Sequence, residues 1–192
     1  MRLAGRLRAL LRDERGFTLI ELVSSMAILL TVMGGLTALL VSGTTAEVDM
    51  NRRFQAQSEA RLGLDRLRRD AHCSFGLSPT GTSATVVLSM SSTCPSSGGG
   101  ASVTWCTVAN GTGAQPRYGL WRYLGGACNV GTGLKIADFL TTQNAFSYTA
   151  PLAGSKELKT LGVNLRVNLT PTKAERVYAL QDNLVLRNSV RS

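Results

Sequence analysis

RGFTLIEL, residues 15–22, opens the stretch of sequence that decides the fold, and an apolar run follows it directly. Residues 17–41 carry one charged side chain, that of Glu21. A run of this length is typical of a membrane-spanning helix, because about 20 residues rising ~1.5 Å each cross the hydrocarbon core of a bilayer. It exceeds the apolar core of a secretory signal peptide, and no small-residue cleavage site follows it. We therefore predict a transmembrane helix over residues 17–43.

Residues 1–16 form a short basic leader before this helix. The leader holds five arginines and two acidic side chains: Arg2, Arg6, Arg8, Arg12, Arg15, Asp13 and Glu14. Positive charge beside a membrane helix holds that end of the chain in the cytoplasm. The leader therefore predicts a single-pass protein of the cell membrane whose C-terminal domain is extracytoplasmic.

Glu21 is an ionisable side chain inside the apolar run. Such a group costs about 2.5–3.5 kcal/mol at the centre of a membrane on insertion scales, and less near an end. The same helix face offers it no partner. One interpretation is that Glu21 reaches the nearby cytoplasmic interface. The other is that a cut between Gly16 and Phe17 creates an α-amino group, which Glu21 of a neighbouring subunit then contacts.

The stretch from Gly16 to Glu21, GFTLIE, resembles the class III signal of type IV pilins and type II secretion pseudopilins. The basic leader before it and the long apolar helix after it fit the same family. The resemblance implies that a prepilin peptidase in the membrane cuts after Gly16 and methylates Phe17, and that Glu21 sets the register of the assembled subunits. It implies as partners other pilin or pseudopilin subunits and their assembly platform.

Three shorter stretches resemble J-type minor pseudopilins and related minor pilins. They are LDRLRRD at residues 64–70, LWR at residues 120–122 and LRN at residues 186–188. The presence of Glu21 argues against the tip class of pseudopilins, which lacks this glutamate. The resemblance thus implies a minor subunit that joins or initiates a type IV pilus or a type II secretion pseudopilus. Protein secretion, DNA uptake in competence and motility are all compatible with it.

Two glycines, Gly34 and Gly35, interrupt the apolar run, and a glycine inside a helix costs up to ~1 kcal/mol relative to alanine. Small residues allow membrane helices to pack closely, which is one interpretation of the pair. The other, taken from the resemblance to pilins, is a weak point where the helix loosens inside a filament.

Residues 44–72 predict an amphipathic extension of the helix. Apolar residues recur there at spacings of three and four. The predicted inner face comprises Met50, Phe54, Gln57, Ala60, Leu64, Leu67 and Ala71, with Gln57 as its polar member. The outer face is charged and includes Asp65, Arg69 and Asp70, of which Asp65 and Arg69 are spaced for a helical ion pair.

Residues 73–192 predict an exported, β-rich domain. Runs of β-branched residues and one clear alternation indicate strands that return on one another as hairpins, which gives an antiparallel sheet with its apolar face on the helix. The predicted strands are Thr82–Met90, Ala101–Ala109, Tyr118–Leu124, Val163–Leu169 and Arg176–Arg187, with Leu134–Leu140 ambiguous. The fold class is therefore α+β, in the pilin-like arrangement of a long N-terminal helix packed on an antiparallel sheet.

All four cysteines, Cys73, Cys94, Cys106 and Cys128, lie after the predicted span. An even number on the oxidising side of a membrane predicts two disulfides. A zinc site is the weaker alternative, because the sequence has no CxxC pair and a single histidine, His72.

The disulfide connectivity depends on how the strands fold together. Pairing residues 101–109 with residues 118–124 brings the segment after the second strand towards residue 99. That geometry favours Cys73–Cys106 with Cys94–Cys128. Cys73–Cys94 with Cys106–Cys128 is the alternative, and either arrangement stabilises the domain.

The sequence contains no recognisable pattern for catalysis, metal binding or cofactor binding. GxSxG, HExxH and the phosphate-binding GxxxxGK[ST] motif are all absent. His72 adjoins Cys73, but neighbouring residues on a helix do not face each other. We therefore expect a structural subunit without cofactor rather than an enzyme.

The formal charge of +9 permits contact with anionic lipid, wall polymer or nucleic acid. One alternative function is thus a filament-carried module that binds DNA or a surface. Another is a single-pass anchored protein whose leader is never cut.

Overall fold

The computed structural model describes residues 18–91, 93–95, 98–110, 117–128, 131–152, 157–170 and 176–189. Within these residues the chain forms one long helix and then strands. The elements are α1 (Leu19–Cys73), β1 (Ser74–Ser78), β2 (Gly81–Ser83), β3 (Thr85–Met90), β4 (Ser102–Asn110), β5 (Arg117–Leu124), β6 (Leu134–Leu140), β7 (Phe146–Thr149), β8 (Thr160–Val167) and β9 (Tyr178–Val185).

The chain divides into two compact units between Asp49 and Met50. The first described unit is the helical segment from Thr18 to Asp49. The second comprises the rest of α1 and all the described strands. Helix α1 runs without a break from Leu19 to Cys73, which confirms the predicted continuous helix.

The strands of the second unit form one antiparallel, curled sheet. The order of neighbours is β1-β3-β4-β5-β6-β8-β7-β2, and β9 pairs with β8. β1 and β2 lie at opposite ends of this order, although only Pro79 and Thr80 separate them in sequence. Thr107 of β4 joins this region to the segment before β7, since its N–H donates to Ala84 O at 2.9 Å and its hydroxyl donates to Gln143 O.

The predicted strand Thr82–Met90 is divided into two strands, which lie near opposite ends of the sheet. Its first part, β2, pairs with β7, and its second part, β3, pairs with β1 and β4. The other strand predictions are confirmed, and the ambiguous residues 134–140 form β6. β1 and β7 are additions that the sequence did not reveal.

The core lies between the last turns of α1 and the concave face of the sheet. Ala60, Leu64, Leu67 and Ala71 are buried there, as predicted. Leu64, Leu67 and Ala71 pack with strand residues that include Trp105, Leu120 and Leu165, whereas Ala60 packs with Val167. The sheet approaches the helix closely at Gly63 because this residue has no side chain. A Cβ built there would lie only 3.2 Å from Ile136 Cγ2.

The first turns of the predicted inner face do not reach this core. Met50 is 73% exposed and Phe54 is 70% exposed, so their predicted burial is wrong. The buried residues of α1 begin at Ala56, because the sheet covers the helix only from that point onwards.

Asp70 is the largest departure from the sequence prediction, because it is fully buried rather than on the outer face. Its Oδ2 accepts hydrogen bonds from Arg122 Nε at 2.7 Å and from Trp105 Nε1 at 2.9 Å. A buried carboxylate persists where it is paired and hydrogen-bonded in this way. Asp65 pairs with Arg68 at 2.8 Å, so the predicted partner, Arg69, was wrong.

The convex face of β4 and β5 is also covered. The rings of Trp121 and Tyr123 stack there with centroids 6.3 Å apart, and a Cβ on Gly133 would overlap the Tyr123 ring. Burial raises the pKa of the Tyr123 phenol. Tyr123 is thus buried on this face of the sheet, as Trp105 is on the face towards α1.

The disulfides are Cys73–Cys94 and Cys106–Cys128, so the favoured pairing was wrong and the alternative is the one observed. Ser74 of β1 pairs with Met90 of β3. This pairing brings Cys73, which precedes Ser74, close to Cys94, which follows β3, so that their Cα atoms lie 5.9 Å apart.

Cys128 reaches Cys106 because the chain reverses directly after β5. Gly125 adopts a φ of 115°, in the left-handed region that glycine tolerates. Its carbonyl accepts a hydrogen bond from Thr104 Oγ1 at 2.6 Å. The segment then folds back over β4 instead of continuing towards residue 99.

The ion pair of Asp70 should dominate the stability of the helix–sheet junction. We expect Asp70→Ala to lower the free energy of unfolding by about 3–5 kcal/mol, because it leaves the Arg122 guanidinium buried without its counter-charge. The matched control, Asp65→Ala, removes an exposed partner and should cost no more than about 1 kcal/mol. Urea unfolding of both variants measures the difference, and equal losses would contradict the assignment.

The connectivity can be checked by digestion without reduction. Trypsin leaves Cys73, Cys94 and Cys106 in one peptide, because no Lys or Arg lies between them. Chymotrypsin cuts after Phe75 and Trp105 and separates them. We expect mass spectrometry to find Cys73 linked to Cys94, and replacement of Cys106 and Cys128 by Ala to cost about 3 kcal/mol. A Cys73–Cys106 peptide would overturn the pairing.

Candidate assembly site

The N-terminal end of α1 carries the predicted processing and assembly residues. Gly16 and Phe17 lie outside the described residues, so the structure places neither of them. The described chain begins at Thr18, which directly precedes the helix and is followed three residues later by Glu21.

Thr18 and Glu21 interact at the first turn of the helix. Thr18 Oγ1 donates to Glu21 Oε2 at 3.4 Å, and Glu21 N donates to Thr18 O at 3.0 Å. The Thr-x-x-Glu spacing is that of a capping box. A carboxylate in the first turn is also favoured by the positive end of the helix dipole. Glu21 was predicted to lack a partner on its own helix face, and Thr18 is a contact that the sequence pattern did not reveal.

The side chains that follow Glu21 form a continuous exposed apolar surface. Each large apolar residue from Leu19 to Val41 is at least 47% exposed, and the most apolar window of the helix is wholly unburied. Helix α1 is long and apolar enough to cross a membrane. An apolar surface of this length is unfavourable in water and matches the hydrocarbon core of a bilayer.

Hydroxyl side chains within this surface have their donors satisfied inside the helix. Each donates to a backbone carbonyl three or four residues earlier, at 2.8–3.0 Å. They are Ser24, Ser25, Thr31, Thr37 and Ser42. Such internal bonds lower the cost of placing hydroxyls where water is excluded.

One face of the apolar helix is lined by small residues at spacings of three and four. Its members, the small face, are Ser24, Ala27, Thr31, Gly34, Gly35, Ala38 and Ser42. Nothing lies within 4 Å of a Cβ built on Gly34 or Gly35. Small faces let helix backbones approach closely in membranes. The helix is continuous through both glycines, and its loosening inside a filament stays a prediction.

Several arginines described in the second unit are engaged within the chain. Arg61 lies over the Tyr178 ring, 5.5 Å from its centroid, and its Nε donates to the Tyr178 hydroxyl at 2.9 Å. Arg68 binds Asp182 at 2.7 Å, and Arg122 is buried on Asp70. These contacts reduce the positive charge available to an external anion. Among the described residues no group of His, Cys, Asp and Glu could hold a metal ion.

Comparison with known families gives one match. Residues 11–37 match the family model described as "Prokaryotic N-terminal methylation motif". This match supports a relation of the chain to the pilin and pseudopilin family. It points to a structural subunit that is processed by a prepilin peptidase and assembles with other pilin subunits. Together with the apolar helix, it supports a membrane-anchored, single-pass protein. No curated protein and no solved structure matches the chain.

The small face should govern how closely α1 approaches another copy. We expect Gly34→Leu to weaken self-association in membranes at least severalfold, because the added side chain separates the backbones. Met33→Leu, on the opposite face, is the control and should change little. Cross-linking in membranes reports the association. Equal effects of the two substitutions would show that the small face is not the contact surface.

Proposed function

We propose that this chain is a minor prepilin-like subunit. It is cut between Gly16 and Phe17, N-methylated on Phe17, and then joins or initiates a type IV pilus or a type II secretion pseudopilus. The observation that carries the proposal is the methylation motif at residues 11–37, which runs directly into the exposed apolar helix. The rest of the chain would be the extracytoplasmic domain that this helix anchors.

In the proposed mechanism, the apolar helices of neighbouring subunits pack together and Glu21 meets the new amine of a neighbour's Phe17. This pairing would offset the cost of a charge in the apolar bundle. The contact with Thr18 supports it, because it holds the Glu21 carboxylate in the first turn of α1, close in sequence to the processed terminus.

Two edges of the sheet, at β2 and at β9, are protected, which supports assembly through the helix. Exposed strand edges are the usual route for adding another chain to a sheet. Here β2 is only three residues long. The outer edge of β9 faces α1, where Arg61 and Arg68 bind its side chains and His72 Nδ1 lies 3.1 Å from Val185 O. Intersubunit pairing of strands is therefore disfavoured at these edges.

The stretches that resemble minor pseudopilins meet in the structure, which supports the assignment to a minor subunit. Asp70 of the first stretch binds Arg122 of the second. Asn188 of the third donates to the carbonyl of His72 at 3.4 Å, two residues after Asp70. The three stretches thus contribute to one junction between the helix end and the sheet.

Assembly is preferred to nucleic-acid binding because the arginines described above have internal partners. The proposed partners are a prepilin peptidase, an assembly platform, other pilin or pseudopilin subunits and the membrane.

The proposal is tested by the N-terminal residue and the mass of the protein made in its own host. We expect a chain that begins at N-methylated Phe17. A Glu21→Ala variant should be processed normally but fail to enter filaments, since it lacks the group proposed to pair with the neighbour's amine.

Ser25→Ala is the matched control, because it changes a polar side chain one turn further along the helix. This variant should be processed and should enter filaments as the wild type does. A chain that still begins at Met1 would refute the processing, and filament entry by Glu21→Ala would refute the role of Glu21.

A further inference from the structure

A shallow cavity of about 430 Å³ lies where β7, β8 and β9 run side by side. We call its polar lining, formed by Ser147, Gly162, Asn164, Gln181 and Asn183, the polar shelf. These residues alternate along their strands with the buried core residues Phe146, Val163 and Leu184. The polar shelf is therefore on the face of the sheet turned away from the core.

The strand register brings the members of the polar shelf together in two rows. Gly162 is paired with Ser147 on one side and Asn183 on the other. Asn164 is paired with Gln181 in the next row on the same face. Directly opposed residues in antiparallel strands have Cβ atoms about 4.5–5.5 Å apart. One small ligand can therefore contact side chains from all three strands.

Gly162 forms the floor of the cavity. A Cβ at this position would overlap the Ser147 hydroxyl and would lie 3.5 Å from Asn183 Oδ1. Any side chain here would fill the space between β7 and β9. The absence of a side chain at Gly162 is thus what keeps the hydroxyl and the carboxamide accessible.

Asn164 supplies a polar atom without a partner. Its Oδ1 is buried, and it accepts no hydrogen bond within the described part of the chain. Burying a polar atom without a hydrogen bond costs free energy, so such an atom is usually satisfied by water or by a ligand. A ligand that donates a hydroxyl or an N–H group at this position would remove the cost.

The polar shelf carries no available charge. The ionisable residue in the cavity lining is Asp182. Its carboxylate is held by Arg68 Nη2 at 2.7 Å and by Asn183 N at 2.8 Å. Phosphate groups require cations, so nucleic acid is a poor match. Peptides bind through a strand edge or through apolar anchors, and the polar shelf presents neither.

We propose that the polar shelf binds a neutral, hydroxyl-rich polysaccharide. Carboxamides and hydroxyls each donate and accept hydrogen bonds, as sugar hydroxyls also do. In this arrangement the carboxamides of Asn164, Gln181 and Asn183 bind neighbouring sugar hydroxyls. Rotation of the Asn164 carboxamide brings its buried Oδ1 to the sugar. No aromatic side chain lines the cavity, so we expect a dissociation constant on the order of 1 mM for one site. Repetition of the site along a filament would raise the avidity.

The binding test uses the full-length chain in a zwitterionic detergent, because a sugar-based detergent would compete. Saturation-transfer NMR is recorded with a malto-oligosaccharide and with a chito-oligosaccharide. We expect at least one to bind, with an affinity that does not change with salt, because no ionic contact is involved. Binding of the malto-oligosaccharide indicates that the natural ligand is a glucan. Binding of the chito-oligosaccharide indicates an amino-sugar polymer such as that of a cell wall.

The variant Asn164→Ala combined with Gln181→Ala should bind at least about tenfold more weakly, because two hydrogen-bonding side chains are lost. Asn51→Ala removes an exposed carboxamide from α1 and should bind as the wild type does. Urea unfolding establishes that both variants are folded. Lack of binding of either sugar at about 10 mM, or equal binding by the double variant, would overturn the proposal. Neither outcome depends on cleavage after Gly16. That cleavage is tested separately, by determining the N-terminal residue of the protein.

Discussion

The buried contact between Asp70 and Arg122 is the constraint on which the second unit depends. Asp70 is in the last turn of α1, and Arg122 is in β5, in the middle of the sheet order. Two charges removed from water must face each other, so the pair fixes the rotation of the helix about its own axis. A turn of the helix by one residue, about 100°, would separate the pair and expose Leu67. The bond from Trp105 to the same carboxylate oxygen ties β4 to this arrangement.

Other cross-links gather around this end of the helix. Cys73 is bonded to Cys94 just after β3, and Arg68 binds Asp182 of β9. By contrast, Met50 and Phe54 are exposed and make no part of the core. The sheet therefore holds the helix by its final turns, and the preceding apolar residues remain for a membrane or for other subunits.

The sequence predicted those features that depend on local pattern. The long apolar run predicted the first half of α1, and the alternation over Val163–Leu169 predicted β8, because each pattern can be recognised within a short stretch of sequence. Asp70 was misplaced because a charge on a helix is normally solvated, and its burial depends on Arg122 far along the chain. The disulfides were misassigned because β1 follows α1 without a turn residue, so its pairing with β3 was not foreseen. The polar shelf was missed because polar residues on a strand usually indicate only a solvated face.

The sharing of residues 81–90 between the two ends of the sheet has a consequence for folding kinetics. The pairs β1–β3, β3–β4 and β4–β5 join segments close in sequence, whereas β2 and β7 are separated by four intervening strands. Closing a long loop costs more entropy and slows the step that requires it. We therefore expect the helix end and β1–β5 to form a nucleus first, and the junction of β2 with β7 to close last. A newly made chain would pass through an open-sheet intermediate in which β2 and β7 are not yet paired.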